Sequence, residues 1–414
     1  MTSAAPATPH KGVTRLEWFV LWLLVISVSI NYIDRGNLSV ASVDVAAELH
    51  LQPFQLGVLL SAFFWTYAVF QFVSGWLIDR YSVIWVYGLG YFIWSCVTAL
   101  TGFVSGFAAL FAVRLLLGMS ESVSYPSYSK IIASSFPERQ RGLANGLIDA
   151  GSKLGPAIGL IVGGAILAHF TWRVLFISIG FASLIWVVPW VMAAPKLKSV
   201  PLTTAEAGGP GYGKILTKRE AWGTVIGLFC SNYAWYFMLT WIPGYLRMER
   251  HYSVEAMGWA GSLPFLTVSS GALVGGWLSD KWIRDGGSTT LVRKTFVAFG
   301  QCCCAALLLP AAIAANQILA MTLLSLATFS YGLYSSNLWA VTQTLAGPLA
   351  AGKWTGLQNG TGNLAGVVAP SVTGFIVQET HSFYFAFVAV SIMLLISASA
   401  TLFIVRRIEP VRWE

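Results

Sequence analysis

Six ionisable residues stand out because each lies inside a long, mostly apolar stretch: Asp34, Arg35, Arg114, Glu121, Asp149 and Lys153. Carboxylates and cations are balanced, so the set can neutralise itself. Its chemistry is proton exchange on the carboxylates and anion binding on the cations, since a guanidinium offers a carboxylate two parallel hydrogen bonds. If each stretch is helical, spacing assigns faces. Tyr32 and Arg35, three apart, share a face, while Asp34 points about 100° away toward a neighbouring element. Arg114 and Glu121 are seven apart, about 10.5 Å along one face. Asp149 and Lys153, at i and i+4, are spaced to pair. Burial favours the neutral form of a carboxyl and an adjacent arginine favours the charged one. Competition between a solute carboxylate and a protein carboxylate for one arginine would tie anion binding to proton exchange.

The elements that must hold these residues follow from composition. The 414-residue chain is 56% hydrophobic and 10% charged, against about 25% charged in a soluble domain. That balance excludes a soluble globular enzyme, a disordered scaffold and a nucleic-acid-binding module. A membrane-spanning helix needs about 20 mostly apolar residues. The spacing of uncharged stretches predicts helices over 17–41, 55–78, 84–104, 107–130, 143–168 and 173–194. A second set covers 220–244, 257–279, 294–314, 317–345, 354–378 and 382–405. Residues 295–352 contain no Asp, Glu, Lys or Arg, and Ala315-Asn316-Gln317 marks the turn within them. The expected fold class is an all-α polytopic membrane protein with 12 transmembrane helices in two six-helix bundles, residues 1–194 and 220–414. Residues 195–219, with Pro195, Pro201, Gly208, Gly209, Pro210, Gly211 and Gly213, read as a cytoplasmic linker.

Basic residues set the expected orientation. With both termini in the cytoplasm, Arg173, Arg247 and Arg250 lie outside, and Arg35, Arg114 and Lys153 lie within the membrane. The remaining basic residues, of 25 in all, then face the cytoplasm. The net charge of +8 is thus a topology signal, dispersed rather than gathered into a nucleic-acid-binding patch. The expected location is the cell inner membrane, with the lipid bilayer and a small organic anion as partners and a functional monomer as the working form.

Other chemistries lack their residues. Cys96, Cys230 and the run Cys302-Cys303-Cys304 fall in apolar spans, where adjacent side chains diverge by about 100° and cannot close a tetrahedral metal site. His10, His50, His169, His251 and His381 all lie outside the span centres. No metalloprotease, nucleophile-elbow or phosphate-loop pattern is present. No cofactor, metal or enzymatic activity is expected.

Four strings resemble a known family. Asn31-Tyr32-Ile33-Asp34-Arg35-Gly36-Asn37-Leu38-Ser39-Val40-Ala41 is similar to the first-helix signature of the anion:cation symporter family, a branch of the major facilitator superfamily. Arg114-Leu115-Leu116-Leu117-Gly118-Met119-Ser120-Glu121 supports it, as do Gly352-Lys353-Trp354-Thr355-Gly356-Leu357-Gln358-Asn359 and Gly362-Asn363-Leu364-Ala365-Gly366. The superfamily loop pattern is present as Gly75-Trp76-Leu77-Ile78-Asp79-Arg80, without the basic residues that normally follow. It recurs weakly as Gly276-Trp277-Leu278-Ser279-Asp280-Lys281.

The resemblance implies a major facilitator fold and proton-coupled import of an organic anion, most closely a sugar acid, by alternating access. It implies that Asp34 and Glu121 bind protons, that Arg35 faces the substrate carboxylate and that Arg114 tunes Glu121. Tyr32 and Tyr67 resemble first-half cavity residues. Ser336, Trp339 and Asn359 stand where the second half of such transporters contacts sugar-acid hydroxyls. Independently of the family, a second half without intramembrane charge must recognise a ligand through neutral polar and aromatic groups, to which Tyr233 and Tyr236 would add. Asp149 and Lys153 are expected as coupling or gating partners, with a helix-bracing pair and a second cation for a dicarboxylate as the two readings. Asp79 is expected to act in gating. The Gly151, Gly155, Pro156, Gly159, Gly163 and Gly164 series predicts close helix packing that can slide or bend. Anion exchange, sodium coupling and, more remotely, a non-transporting sensor are the alternatives.

Overall fold

A computed structural model describes residues 13–136, 138–197 and 210–413. Its first set of helices is α1 (Arg15–Val40), α2 (Ser42–Leu49), α3 (Pro53–Arg80), α4 (Val83–Thr101), α5 (Phe107–Glu121), α6 (Ser124–Ser135), α7 (Glu138–His169), α8 (Trp172–Leu184) and α9 (Val187–Ala193). The short α10 (Tyr212–Leu216) leads into α11 (Arg219–Met248), α12 (Val254–Arg284), α13 (Thr289–Ile313), α14 (Gln317–Asn363), α15 (Ala365–Thr380) and α16 (Tyr384–Ser399). Among the described residues, eleven helical segments are long and apolar enough to cross a membrane. The predicted span 257–279 lies within α12, whose 31 residues cover about 46 Å. Its glycines and serines dilute its apolarity.

Local sequence explains the ends. Thr14 and Glu17 form a reciprocal cap on α1, with Glu17 N donating to Thr14 Oγ1 at 3.2 Å and Thr14 N to Glu17 Oε2 at 2.6 Å. The Asn316 side chain caps α14 by accepting from Ile318 and Leu319 N, at the turn the uncharged stretch required. Three predicted spans are interrupted: 107–130 breaks between α5 and α6, 173–194 between α8 and α9, and 354–378 at Leu364. Within α14 the backbone leaves helical geometry at Gly347, with φ 62°. Glycine tolerates this left-handed angle, and two helical limbs result. The predicted linker, 195–219, lies partly outside the described residues.

Helices α1–α9 pack mainly among themselves through α1 on α7, α3 on α5 and α4 on α8. The later helices do the same through α13 on α14, α12 on α14 and α13 on α16. The main seams between the groups are α7 on α12, α3 on α15 and α1 on α11. We call the end where α1 begins the near end and the end where it finishes the far end. The described contacts that cross the seams gather toward the far end. There Ser39 Oγ donates to Thr240 O at 2.5 Å and Arg247 Nη1 pairs with Asp44 at 2.5 Å. Backbone meets backbone at glycines: a Cβ on Gly57 would stand 2.4 Å from Pro370 O, and one on Gly258 2.8 Å from Leu160 O. Gly151 and Gly155 bring α7 equally close to Val25 O and Ser29 O of α1. The glycine series thus yields the close packing its spacing predicted.

A buried arginine–carboxylate cluster between two halves

The last turns of α1 carry Asn31, Tyr32, Asp34 and Arg35, and α5 delivers Arg114 and Glu121 opposite them. Arg35 Nε donates to Glu121 Oε2 at 3.0 Å, and Asn31 Nδ2 donates to the same oxygen at 2.7 Å. Both charged side chains are buried, at 2% and 0% exposure. An isolated charge here would be costly, which is why the two sit in direct contact. Spacing put Arg114 two turns from Glu121 on one face of α5, and the direct bond to Glu121 comes from Arg35 across the helix pair. Arg114 acts on Glu121 by charge from farther off, since one helix face separates residues seven apart by two full turns.

Aromatic rings complete the setting of Arg35. Its guanidinium carbon stands 4.3 Å from the Tyr67 ring centroid, 4.8 Å from Tyr32 and 4.9 Å from Phe63, within cation–π range. Tyr32 and Tyr125 hydroxyls lie 3.2 Å apart. From the second group of helices, Tyr236 packs on Phe64 with centroids 4.5 Å apart, and its hydroxyl donates to Asn363 Oδ1 at 2.5 Å. Among the described residues, Arg35 Nη2 and Glu121 Oε1 are buried and unpartnered. The pair therefore retains a donor and an acceptor edge.

Asp34 points away from this pair. It accepts from Asn37 Nδ2 at 3.3 Å and turns toward Trp94 and Thr98 of α4, as the divergence from Arg35 required. Asp34 and Glu121 are both fully buried, on neighbouring helices that also carry the buried Arg35 and Arg114. Trp94 Nε1, Ser95 Oγ, Thr98 Oγ1 and Arg114 Nη1 add further unpartnered buried polar atoms around them.

The remaining candidates whose side chains are described lie on α7, α11 and both limbs of α14. Lys153 pairs with Asp149 on α7, at 14% and 62% side-chain exposure. Tyr233 is buried on α11. Ser336 and Trp339 are half-buried on the first limb of α14 and Asn359 on the second. Ser336 accepts from Asn337 Nδ2 at 3.2 Å and faces Gly276 of α12. None of the described hydrogen bonds or ring contacts joins these three to Arg35. The Asp79 side chain lies outside the described residues. Its counterpart Asp280 accepts from Arg293 Nη2 at 2.9 Å, and Arg293 Nη1 reaches Asn337 Oδ1 at 2.7 Å. The weak second copy of the loop pattern is therefore tied to α13 and α14. Sequence reasoning gave no role to Tyr125, Phe63, Trp94 or Asn363; Asn363 lay in a quoted family string, while the others are neutral residues whose spacing carries no signal.

A helical bundle with a neutralised ion cluster at its centre, closed at one end by glycine contacts, is a membrane transporter of the major facilitator fold. The chain belongs to the Major Facilitator Superfamily, which matches it over residues 24–370. It is 32% identical over 420 residues to the probable galactarate/D-glucarate transporter GudP of Bacillus subtilis, covering 93% of this chain and 91% of that one. The hexuronate transporter of Bacillus subtilis is 32% identical over 405 residues, covering 95% and 94%. The probable L-galactonate transporter of Escherichia coli is 29% identical over 410 residues, covering 95% and 90%. Among solved structures, a bacterial homologue of the human lysosomal transporter Spinster, inward-facing and occupied, superposes with a TM-score of 0.82 at 17% identity, covering 96% and 98%. Its unoccupied inward-facing form gives 0.79 at 16%, covering 94% and 97%. The family and these relatives make the chain a transporter rather than an enzyme.

Proposed function

We propose that this protein imports a sugar acid by proton symport, with Arg35 holding the substrate carboxylate and Glu121 and Asp34 exchanging the protons. The observation that carries the reading is the buried Arg35–Glu121 pair, with its unpartnered Nη2 and Oε1. A substrate carboxylate that takes Arg35 leaves Glu121 without its neutralising partner in a low-dielectric site. Protonation then removes the charge that burial penalises. Substrate and proton thus enter together, and release of one favours release of the other. Each negative charge moving into an inside-negative cell meets about 2.3 kcal/mol per 100 mV; one proton cancels the charge of a monoanion, and two carry a monoanion favourably or a dianion without electrical cost. Two carboxylates in one cluster suit the second case.

The curated relatives carry sugar acids by name, which supports the substrate class. In this reading residues 1–194 and 220–414 rock as two bodies about the cluster, joined by the linker 195–219. The near end opens to the cytoplasm, both termini lie there, and a single chain suffices in the inner membrane. Ser336, Trp339, Asn359 and Tyr236 supply the neutral wall that reads hydroxyls, Arg114 tunes the cluster, and Asp79 contributes to gating.

The test is uptake of labelled D-gluconate and D-glucarate into proteoliposomes of the purified chain. Accumulation should follow an inside-alkaline pH gradient and collapse with a protonophore. Accumulation that follows a sodium gradient instead, or that needs internal anion, would assign the protein to sodium coupling or exchange.

A further inference from the structure

Arg35–Glu121 has a counterpart. Lys153 of α7 is also held by a carboxylate, Asp149, one turn earlier on the same helix. The two members differ in exposure: Lys153 is 14% exposed and Asp149 62%. A cation largely covered, with a partner largely open, is one whose partner a solute can replace. As a helix brace alone, an exposed i,i+4 pair contributes little, and the mid-membrane position of a lysine needs a stronger reason.

Three observations aim the pair at the site. Asp149, Lys153, Pro156 and Leu160 recur at spacings of four, three and four, a single helical stripe. Pro156 and Leu160 on that stripe line a cavity with Gly36 of α1 and Phe265 of α12, so the stripe faces the seam between the halves. Gly155, two residues from Lys153, packs against Tyr32, and the Arg35 guanidinium lies over the Tyr32 ring at 4.8 Å.

Register fixes the axial offset of the two cations. Lys153, two residues from both Gly151 and Gly155, stands on the side of α7 away from α1, so that its stem must also reach around that helix. A Cβ on Gly155 would stand 2.8 Å from Tyr32 Cβ, and one on Gly151 2.8 Å from Val28 Cγ1, so α1 and α7 run parallel and level at these positions. Lys153 precedes Gly155 by two residues and Arg35 follows Tyr32 by three, an axial offset of about 7.5 Å. The carboxyl carbons of an extended six-carbon diacid are separated by five C–C bonds, roughly 6 Å end to end. The flexible lysine stem spans the difference.

We propose that Lys153 anchors a second substrate carboxylate, so that the site is built for a dicarboxylic sugar acid rather than a monocarboxylic one. The inference rests on the sugar-acid reading above. Each end of the diacid displaces one protein carboxylate, Glu121 from Arg35 and Asp149 from Lys153. A monoacid displaces only the first.

The experiment is calorimetric titration of the purified full chain with D-glucarate and with D-gluconate, which differ in one terminal carboxylate. The unmodified protein should prefer glucarate by about tenfold or more, the worth of one charge-assisted contact. Lys153→Gln should lose most of that preference and Lys153→Arg should keep it. Asp149→Asn, which frees Lys153 of its competitor, guards against a misfolded Lys153→Gln and should keep or widen the preference. An undiminished preference in Lys153→Gln overturns the proposal, as does an equal loss for both acids or an unmodified protein with no preference. If the unmodified protein bound neither acid, the sugar-acid reading itself would fall, and this one with it.

Discussion

Replacing Arg35 by lysine tests the central assignment with the charge conserved. In the structure the guanidinium donates through Nε to Glu121 at 3.0 Å, stacks over three rings at 4.3 to 4.9 Å, and keeps a buried, unpartnered Nη2. A lysine ammonium can still pair with Glu121, so the buried carboxylate stays compensated and the fold should survive. What it cannot do is present a second, fixed edge to a substrate while doing so. The lost charge-assisted hydrogen bond is worth about 1.5–3 kcal/mol and the weakened stacking roughly 0.5–1 kcal/mol. Together these give about 2–4 kcal/mol, or a roughly 30- to 1,000-fold rise in Kd. Calorimetric titration with D-glucarate on monodisperse Arg35→Lys, checked for an unchanged melting temperature, reads this directly. A folded variant whose Kd stayed within about threefold of the unmodified protein would show that Arg35 serves the Glu121 pair alone.

Glu121→Gln imitates the protonated carboxyl; it should bind sugar acid and exchange it across proteoliposomes, yet fail to concentrate it under a pH gradient. Full accumulation would remove Glu121 from the proton path and leave Asp34 to carry it. Gly57→Ala forces a Cβ to within 2.4 Å of Pro370 O, and overpacking of this kind costs about 1–3 kcal/mol. The far end should open, lengthening the spin-label distance between exposed positions 52 and 255; an unaltered distance distribution would show that the seam yields without opening. Glu48, beyond the end of the first span, accepts from Trp172 Nε1 at 2.7 Å and from Arg173 Nη1 at 2.5 Å. Those contacts hold its carboxyl below the ordinary glutamate range. Its contribution to stability is therefore present above that range and lost as pH falls through the lowered value. Glu48→Gln should flatten this acid-side decline in melting temperature, by a small margin because the pair faces solvent; an unchanged acid-side slope would assign the decline to other groups.

The membrane class and most helix ends are legible in the chain because lipid imposes one rule on every span: roughly 20 residues without charge. Breaks inside two of the spans have a cause that span length does not read: Pro126 and Pro189 lack the N–H that would bond Ser122 O and Ile185 O, and the helices part there. Gly347-Pro348 carried a turn signal, yet helix resumes directly after it, since the buried Leu345, Ala346 and Trp354 share one apolar cluster. The site shows the same division. Charges at membrane depth announce Asp34, Arg35 and Glu121, because their cost demands a purpose. Which cation meets Glu121 is a matter of how α1 leans on α5, and spacing along one helix cannot report it. Tyr125 and Trp94 matter through where they stand rather than what they are.

Asp34 and Arg35 are neighbours on one helical turn with opposite loyalties: one is seated among α4 side chains, the other under Tyr67 and against Glu121. Turning α1 about its own axis by even a small angle would draw Arg35 off Glu121 and Tyr67 while pressing Asp34 into the α4 wall. The helix is therefore keyed like a bolt with two lugs, free to tilt or translate with its neighbours but barred from spinning. A motion that reaches this turn would thus carry α1 together with α5, which holds Glu121 against Arg35.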